Sequence, residues 1–307
     1  MAAEIEPTMR RAQRSRNRWR MPRIALIAAL IALLGTGVLL YPSAGSWFMQ
    51  WQQSQLISDY SSEIGGIPAD ERGEVIESAE RYNALLTGSV AELGANERIP
   101  TSDAASSPSD YSDQLRANEQ GLMARIQIPS VDADLPIYHG TSDDTLAIGV
   151  GHLEGTALPV GGLGTHSVLT AHRGLATAEL FSRLNEVEVG DTFTIAVFGE
   201  VLTYRVRETA VVEPDDTQTL HAQAGSDLVT LVTCTPLGIN SHRILVTAER
   251  IVPTPISDIA AAGRAPVVPH FPWWAVIGSG VLLSLVVYVY LSGRPRRLRS
   301  EPRTHAS

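Results

Sequence analysis

The chain contains a single cysteine, Cys234, among its 307 residues. One cysteine excludes an intramolecular disulfide and a zinc site built on several thiolates. The residue is therefore a free thiol, an intermolecular crosslink or a small buried hydrophobic side chain. Its location relative to a membrane and its neighbours in the sequence must distinguish these three possibilities.

Lysine is absent altogether, so that all 24 basic residues are arginines. Twelve arginines lie in the terminal tails, residues 1–23 and 293–307, whereas 30 of the 33 acidic residues lie between those tails. The intervening part therefore carries a net charge near −18, from 12 arginines against 30 carboxylates. Such an acidic surface argues against nucleic acid as a partner. Solubility explains it more simply than a specific acidic function does.

Long hydrophobic runs occur at only two places, Ile24–Leu40 and Trp273–Leu291. Each run can cross about 30 Å of hydrocarbon as a helix. Because arginines precede the first run and follow the second, the positive-inside rule predicts two transmembrane helices, with both termini cytoplasmic and residues 42–270 outside. A cleaved signal peptide is the alternative for the first run, since small residues follow it at Ser43–Gly45. A buried core helix is the alternative for the second.

The sequence between the two runs changes character at Gly121. Before that point, 46–64 and 69–87 have the pattern of helices, and 88–112 is small and polar, as expected of a loop. After it, short β-like runs broken by glycine and proline predict a single barrel or sandwich. The seven strand candidates are 123–129, 134–138, 166–172, 191–197, 201–212, 227–234 and 243–251.

Other short features separate these strands. Helical turns fit 141–150 and 176–184, and Phe198–Glu200 fits a hairpin turn. Residues 252–270 contain four prolines and are expected to form a linker to the second apolar run. The sequence contains no internal repeat, CxxC pair, phosphate-binding glycine loop or EF-hand loop.

The histidines do not have the spacing of a metal site. Those in the β region are His139, His152, His166, His172, His221 and His242. Because neither HxxxH nor HExxH occurs and one cysteine offers one thiolate, we expect no metal. We interpret His152 as structural and Arg173 as a solvated or substrate-rim charge rather than a catalyst.

A thiol, an imidazole and a cation are predicted to lie at the ends of neighbouring strands. His172 ends one apolar strand, Cys234 ends another, and Arg243 begins the strand that follows. In an acyl transfer the thiolate would attack a carbonyl, the imidazolium would protonate the leaving amine, and the guanidinium would stabilise the oxyanion. Polar residues are common at strand ends, so this pattern alone leaves a buried, inert cysteine possible.

The residues around these positions resemble the sortases. TLVTC (230–234) with Arg243 is similar to the TLxTC…R signature of that family, and LTAHRG (170–175) is similar to its catalytic-histidine segment. The resemblance covers roughly residues 120–250. The stretch IPSVDADLPIYHGTSDDTLAIGVGHLEGTALPVGG (128–162) is most similar to class C, the pilus-assembling sortases, in which a carboxy-terminal span is typical.

The resemblance implies an all-β fold with minor helices, a closed eight-stranded barrel, in which Cys234 is the nucleophile, His172 the general acid/base and Arg243 the stabilising cation. It also implies cleavage of an LPxTG-like sorting signal between Thr and Gly, a thioester intermediate, transfer to a pilin lysine, and no cofactor. The partners would be pilin or surface-protein substrates. The alternatives are a housekeeping sortase that attaches proteins to peptidoglycan and a non-catalytic surface scaffold with a structural cysteine.

This interpretation divides the chain into seven parts. They are a cytoplasmic tail (1–23), a transmembrane helix (24–41), a helical segment with a lid-like loop (42–120), the catalytic barrel (121–251), a linker (252–271), a second transmembrane helix (272–292) and a cytoplasmic tail (293–307). One departure from class C is the absence of an Asp-Pro-aromatic lid motif, to which Ser109–Tyr111 is the nearest approach. We therefore predict a lid that is weakly anchored or does not occlude the thiol.

Overall fold

The strand-like runs that begin at Leu122 form eight β-strands, which close into one barrel. The structure is a computed structural model and describes residues 19–86 and 108–294. The strands are β1 (Leu122–Ile128), β2 (Ala133–His139), β3 (Val150–His152), β4 (Thr165–Thr170), β5 (Thr192–Val197), β6 (Glu200–Val212), β7 (Asp227–Thr235) and β8 (His242–Ile251). Their order around the barrel is β1-β2-β3-β4-β7-β8-β6-β5. The β2–β3 and β4–β7 pairs are parallel and the others antiparallel, which confirms the expected closed all-β barrel.

In the part of the chain that the structure describes, three helices precede the barrel strands in the sequence, one lies between β2 and β3, and two follow β8. They are α1 (Arg23–Gly66), α2 (Ala69–Leu85), α3 (Pro108–Asp113), α4 (Asp143–Ile148), α5 (Ile256–Ala262) and α6 (Trp273–Ser292). The chain divides into two compact units. One, residues 42–272, contains the barrel, and the other combines residues 1–41 with 273–307.

Five elements differ from the expectation drawn from the sequence, one of which is the short helix α3 at the end of the expected loop 88–112. The helix expected at 46–64 is part of α1, which continues through Pro42 without a break. Strand β3 was missed because its three residues directly follow α4. Residues 176–184 contain no α-helix, because Phe181 is buried in the main core and tertiary packing overrides the helical pattern. The expected linker at 252–270 contains the short helix α5.

Alternate residues of β4, β7 and β8 point to opposite sides of the barrel wall. On one side, Leu169, Leu231 and Val246 belong to the main hydrophobic core and are fully buried. On the other side, Val168, Val232 and Leu245 form a smaller cluster with Leu153 and with Leu220 from the β6–β7 loop. Burial of each large aliphatic side chain stabilises the fold by about 1.5–3 kcal/mol. Both sides of these three strands are therefore packed.

Two buried polar side chains attach the helices α1 and α2 to the barrel. The Tyr60 hydroxyl of α1 donates to the Met123 carbonyl at 3.0 Å and accepts a hydrogen bond from the Phe198 amide at 3.0 Å. In α2, the Asn83 side chain donates to the Leu158 carbonyl at 3.1 Å and accepts from the Leu158 amide at 2.7 Å. Because all these polar groups are paired, their burial carries no penalty for a lost hydrogen bond.

A buried ion pair attaches the linker to the barrel. Arg125 in β1 forms a bidentate pair with Asp134 in β2, with N–O distances of 2.6 and 2.7 Å. The side chains are only 2% and 6% exposed. Arg125 Nη1 also donates to the carbonyls of Ala262 and Arg264 at 3.1 Å each, and Asp134 accepts from the Val267 amide at 3.1 Å. The ion pair therefore links β1 and β2 to the end of α5 through a single hydrogen-bond network.

The second of the two units contains two apolar helical segments that lie antiparallel. Both α6 and the start of α1 are long and apolar enough to cross a membrane. At one end of this unit, Trp19 Nε1 donates to the Tyr290 carbonyl at 3.1 Å, and the Arg20 amide donates to the Gly293 carbonyl at 3.2 Å. At the other end, Gly278 lies beside Leu40. The start of the first segment is thus next to the end of the second.

His152 at the end of β3 is fully buried and bonded on both ring nitrogens. Its Nε2 lies 2.9 Å from the Ala157 carbonyl, which only accepts, so Nε2 carries the proton. Nδ1 then accepts from the Tyr111 hydroxyl at 2.9 Å, and that hydroxyl accepts from the Gly140 amide at 3.0 Å. Burial lowers the pKa of His152 to about 4. The geometry agrees with the structural interpretation of this histidine.

We expect Arg125→Met to destabilise the protein by about 3–5 kcal/mol, because it leaves the Asp134 carboxylate buried without its partner. The measurement is urea-induced unfolding of the full-length protein in detergent. Arg81→Met is the control, since the Arg81–Glu77 pair is largely exposed and its loss should have little effect. An Arg125→Met variant as stable as the control would show that the network does not hold the linker.

We expect stability to fall by about 3 kcal/mol through His152 as the pH drops from about 6.5 to about 4. In this window the unfolded chain binds a proton at His152 whereas the folded protein does not, so protons favour unfolding. The measurement is urea unfolding at pH 7 and pH 4.5. The variant His152→Gln retains a donor for the Ala157 carbonyl but does not titrate. Its free energy of unfolding should therefore fall by about 3 kcal/mol less than that of the wild type between pH 7 and pH 4.5. Parallel losses in both proteins would contradict the assignment.

Candidate active site

The parallel pairing of β4 with β7 brings two candidate site residues to neighbouring strand ends. The register runs from Thr165↔Asp227 to Thr170↔Val232. Beyond it, the Ala171 amide donates to the Val232 carbonyl at 3.2 Å. The Thr233 hydroxyl donates to the Ala171 carbonyl at 2.8 Å, so the end of β4 that leads into His172 lies beside the end of β7 that carries Cys234. Since side chains two residues apart in a strand share a face, Cys234 lies on the face that carries Val232.

The third predicted residue lies on the other side of Cys234. Strand β8 pairs antiparallel with β7, and Arg243 is the direct partner of Cys234 in that register. The Arg243 Nη1 donates to the carbonyls of Asn240 at 2.9 Å and His242 at 3.2 Å, which fixes the guanidinium at the start of β8. Cys234 and Arg243 therefore lie side by side on β7 and β8, and His172 follows the adjoining end of β4.

The loop after His172 is closed by its own hydrogen bonds. The Phe181 amide donates to the His172 carbonyl at 3.2 Å, and the Gly174 amide donates to the Ser182 hydroxyl at 3.0 Å. Gly174 has φ +78° and lies so close to Leu237 that a Cβ would overlap the leucine side chain. Glycine is required here for both its conformation and its size. The loops after His172 and after Cys234 therefore touch.

The pKa of His172 is shifted by its surroundings. Partial burial lowers it below the ordinary histidine value, and the carboxylate of Asp143 in α4 opposes that effect. The neutral imidazole is consequently favoured at neutral pH, and Asp143 stabilises the imidazolium. Cys234 is partly exposed. The arrangement is suited to acyl transfer through a thiolate.

The structure changes the interpretation of Arg173. The sequence suggested a solvated or rim charge, but the guanidinium is engaged in three hydrogen bonds. Its Nε donates to the Ser182 carbonyl at 3.2 Å, Nη1 to the Thr235 hydroxyl at 2.8 Å, and Nη2 to the Asn185 side-chain oxygen at 2.8 Å. Sequence reasoning missed this role, and that of Asp143, because the partners are remote in the chain and leave no local pattern.

Two further expectations concern the lid and a metal. Most of the predicted lid segment, residues 88–112, lies outside the described residues; its end is bound to the barrel through Tyr111. Within 19–86 and 108–294, no group of three or more His, Cys, Asp or Glu side chains is arranged to hold a metal ion.

Comparison with known proteins gives concordant results. Residues 126–251 match the family of the sortase domain. The chain is similar to the crystal structure of sortase C-1 from Actinomyces oris, with 46% identity and a TM-score of 0.54, over 59% of this chain and 98% of that one. It is also similar to sortase C from Streptococcus pneumoniae, with 39% identity and a TM-score of 0.58, over 66% of this chain and 100% of that one.

A similar relationship is found among curated proteins. Sortase D from Bacillus subtilis (strain 168) is 31% identical over 129 residues, which make up 41% of this chain and 62% of that protein. The chain thus spans about three fifths of this relative's length.

We expect Asp143→Asn to lower the pKa of His172 further, because the variant loses the carboxylate that stabilises the imidazolium. The pH dependence of Cys234 alkylation by iodoacetamide measures this, and its acidic inflection should move to lower pH. Asp144→Asn is the control, a neighbouring exposed carboxylate in the same helical turn. Added salt should move the wild-type inflection in the same direction, because Asp143 is exposed and its field is screened. An unchanged inflection in Asp143→Asn, or an equal shift in the control, would contradict the assignment.

Proposed function

Because the chain belongs to the sortase family, we propose that it is a cysteine transpeptidase of surface-protein sorting signals. Cys234 is the nucleophile, His172 the general acid and base, and Arg243 the cation that stabilises the oxyanion. The observation that carries this proposal is that the β4–β7 and β7–β8 pairings bring together the strand ends that carry His172, Cys234 and Arg243. A buried structural cysteine requires no such neighbours.

The reaction proceeds through two acyl transfers. In the first, neutral His172 takes the proton of the Cys234 thiol, the thiolate attacks the scissile carbonyl, the C–N bond breaks, and protonated His172 gives its proton to the departing amine. The acyl group is then held as a thioester. In the second, an acceptor amine attacks the thioester carbonyl, neutral His172 takes the proton of that amine, and the thiolate leaves. In both steps the guanidinium of Arg243 stabilises the negative charge on the carbonyl oxygen.

The proposed substrate is an LPxTG-like signal, cleaved between Thr and Gly, and the proposed acceptor is a lysine of a pilin subunit. Similarity to sortase C structures supports this choice; the Streptococcus pneumoniae enzyme is described in terms of pilin substrate specificity. The absence of lysine from the chain means that a lysine acceptor must come from another protein. A cell-wall amine, used by a housekeeping enzyme, is the competing acceptor.

We further propose that both apolar segments span the membrane, with both termini cytoplasmic and the barrel outside. Their antiparallel arrangement supports this, because it places the start of α1 and the end of α6 on the same side. The arginine-rich tails adjoin those two ends. We retain residues 121–251 as the catalytic barrel and 252–271 as the linker.

We expect the full-length protein in detergent to form a thioester with an LPxTG peptide, detected on Cys234 by mass spectrometry. Cys234→Ala should abolish it, and His172→Ala should slow it by about 10²–10⁴-fold. Arg243→Gln should slow it by about 10²–10³-fold, the effect of losing an oxyanion donor. The control His270→Gln replaces an exposed histidine of the linker and should react like the wild type.

The acceptor is identified by competition between a lysine-containing pilin domain and a peptidoglycan stem-peptide amine. Transfer to the pilin lysine supports pilus assembly, and transfer to the stem peptide alone supports the housekeeping role. Product formation by Cys234→Ala, or a native Cys234 that resists thiol reagents, would contradict the enzymatic proposal and favour a scaffold.

A further inference from the structure

Arg173 connects the strand ends that carry the thiol and the imidazole. It directly follows His172 in the chain, and the Thr235 hydroxyl that accepts its Nη1 hydrogen bond belongs to the residue directly after Cys234. A second connection lies one residue earlier on each strand, where the Thr233 hydroxyl donates to the Ala171 carbonyl at 2.8 Å. The pair is therefore bracketed by side-chain hydrogen bonds on both sides.

The bracketing residues lie on the opposite side of the strands from the reacting groups. Along β7, Thr233 and Thr235 alternate with Cys234, so their side chains point away from its face. Thr233 is buried, and Arg173 and Thr235 are partly buried. Arg173 thus has no place among the groups that would touch a substrate.

The other two bonds of Arg173 hold the loop that follows His172. The Ser182 carbonyl and the Asn185 side chain accept from Nε and Nη2. Lysine has one nitrogen and lacks the planar fork, so it cannot reproduce three bonds in three directions. The structure requires an arginine here for its geometry, beyond its charge.

We propose that Arg173 is a positioning residue whose hydrogen bond to Thr235 sets the alignment of His172 with Cys234. The inference rests on the proposed function, because it concerns the same pair of groups. Without the bond, the end of β4 and the end of β7 remain paired only up to Ala171 and Thr233, and the two reacting side chains lie beyond that point. Misplacement by about 1 Å is enough to cost about 10²-fold in rate.

The test compares Thr235→Val with Thr235→Ser in the full-length protein in detergent. Valine has nearly the shape of threonine but accepts no hydrogen bond, whereas serine retains the hydroxyl. We expect Thr235→Val to form the thioester at least about tenfold more slowly with KM changed less than about twofold, and Thr235→Ser to react like the wild type. A wild-type rate in Thr235→Val, or a loss confined to KM, would overturn the proposal.

The variant Arg173→Lys tests whether the hydrogen-bond geometry of the guanidinium is needed or only its positive charge. We expect it to be at least as slow as Thr235→Val although it keeps the charge, because it also loses bonds to Ser182 and Asn185. The double variant should be no slower than Arg173→Lys, because both substitutions remove the bond between Arg173 and Thr235. Full activity in Arg173→Lys, or additive losses in the double variant, would overturn the proposal. Arg183→Gln is the matched control, since Arg183 lies on the same loop but bonds Glu186, and its rate should be unchanged.

Alkylation of Cys234 by iodoacetamide provides a readout that needs no peptide substrate. In the wild type its pH dependence should show an inflection from His172 that His172→Ala removes. Thr235→Val should weaken that inflection, with a thermal unfolding midpoint close to the wild-type value. A wild-type profile in Thr235→Val would reject the positioning role even if peptides react. If the wild type shows an inflection that Thr235→Val weakens, but forms no thioester with the peptide, the proposed function is rejected and the positioning role of Arg173 is supported.

Discussion

Strands β4 and β7 pair in parallel although β5 and β6 lie between them in the chain. Parallel strands end at the same edge of a sheet, so the residues that follow them emerge together. His172 and Cys234 are those residues. Strand β8 returns antiparallel from that edge, which brings Arg243 beside Cys234. One pairing thus brings the strand ends that carry these three residues to the same edge of the sheet.

Side chains alternate between the two faces of these strands, so the residues of the barrel core and the candidate site residue Cys234 lie on different faces. One set of residues, including Leu169, Leu231 and Val246, is buried in the barrel core, where a displacement would open cavities. The other set ends in Cys234 and Arg243, which lie at the rim. Thr233 and Arg173 join the two strand ends from the supporting side. The two strand ends are therefore joined by side chains that do not occupy the face that carries Cys234.

Several buried polar groups in this protein are paired with partners on other segments of the chain. The Arg125–Asp134 network, Tyr60, Asn83 and His152 each lie inside the fold, and each has hydrogen-bonding partners on separate chain segments. Leaving such a group unpaired costs more than the bond itself contributes. These networks consequently specify how α1, α2 and the linker attach to the barrel, a role that apolar contacts alone would define less strictly.

The sequence by itself determined the two apolar segments, the seven longer strands and the three candidate site residues. These features follow from local patterns: unbroken apolar runs flanked by arginine, alternation with a period of two, and a motif of a few adjacent residues. Tertiary structure decided the short strand β3, the continuity of α1 and the absence of a helix at 176–184, because packing of Phe181 overrides local preference there. It also decided the influence of Asp143 on His172 and the bond from Arg173 to Thr235. Those contacts join residues far apart in the chain, and only the closure of the barrel brings them within reach.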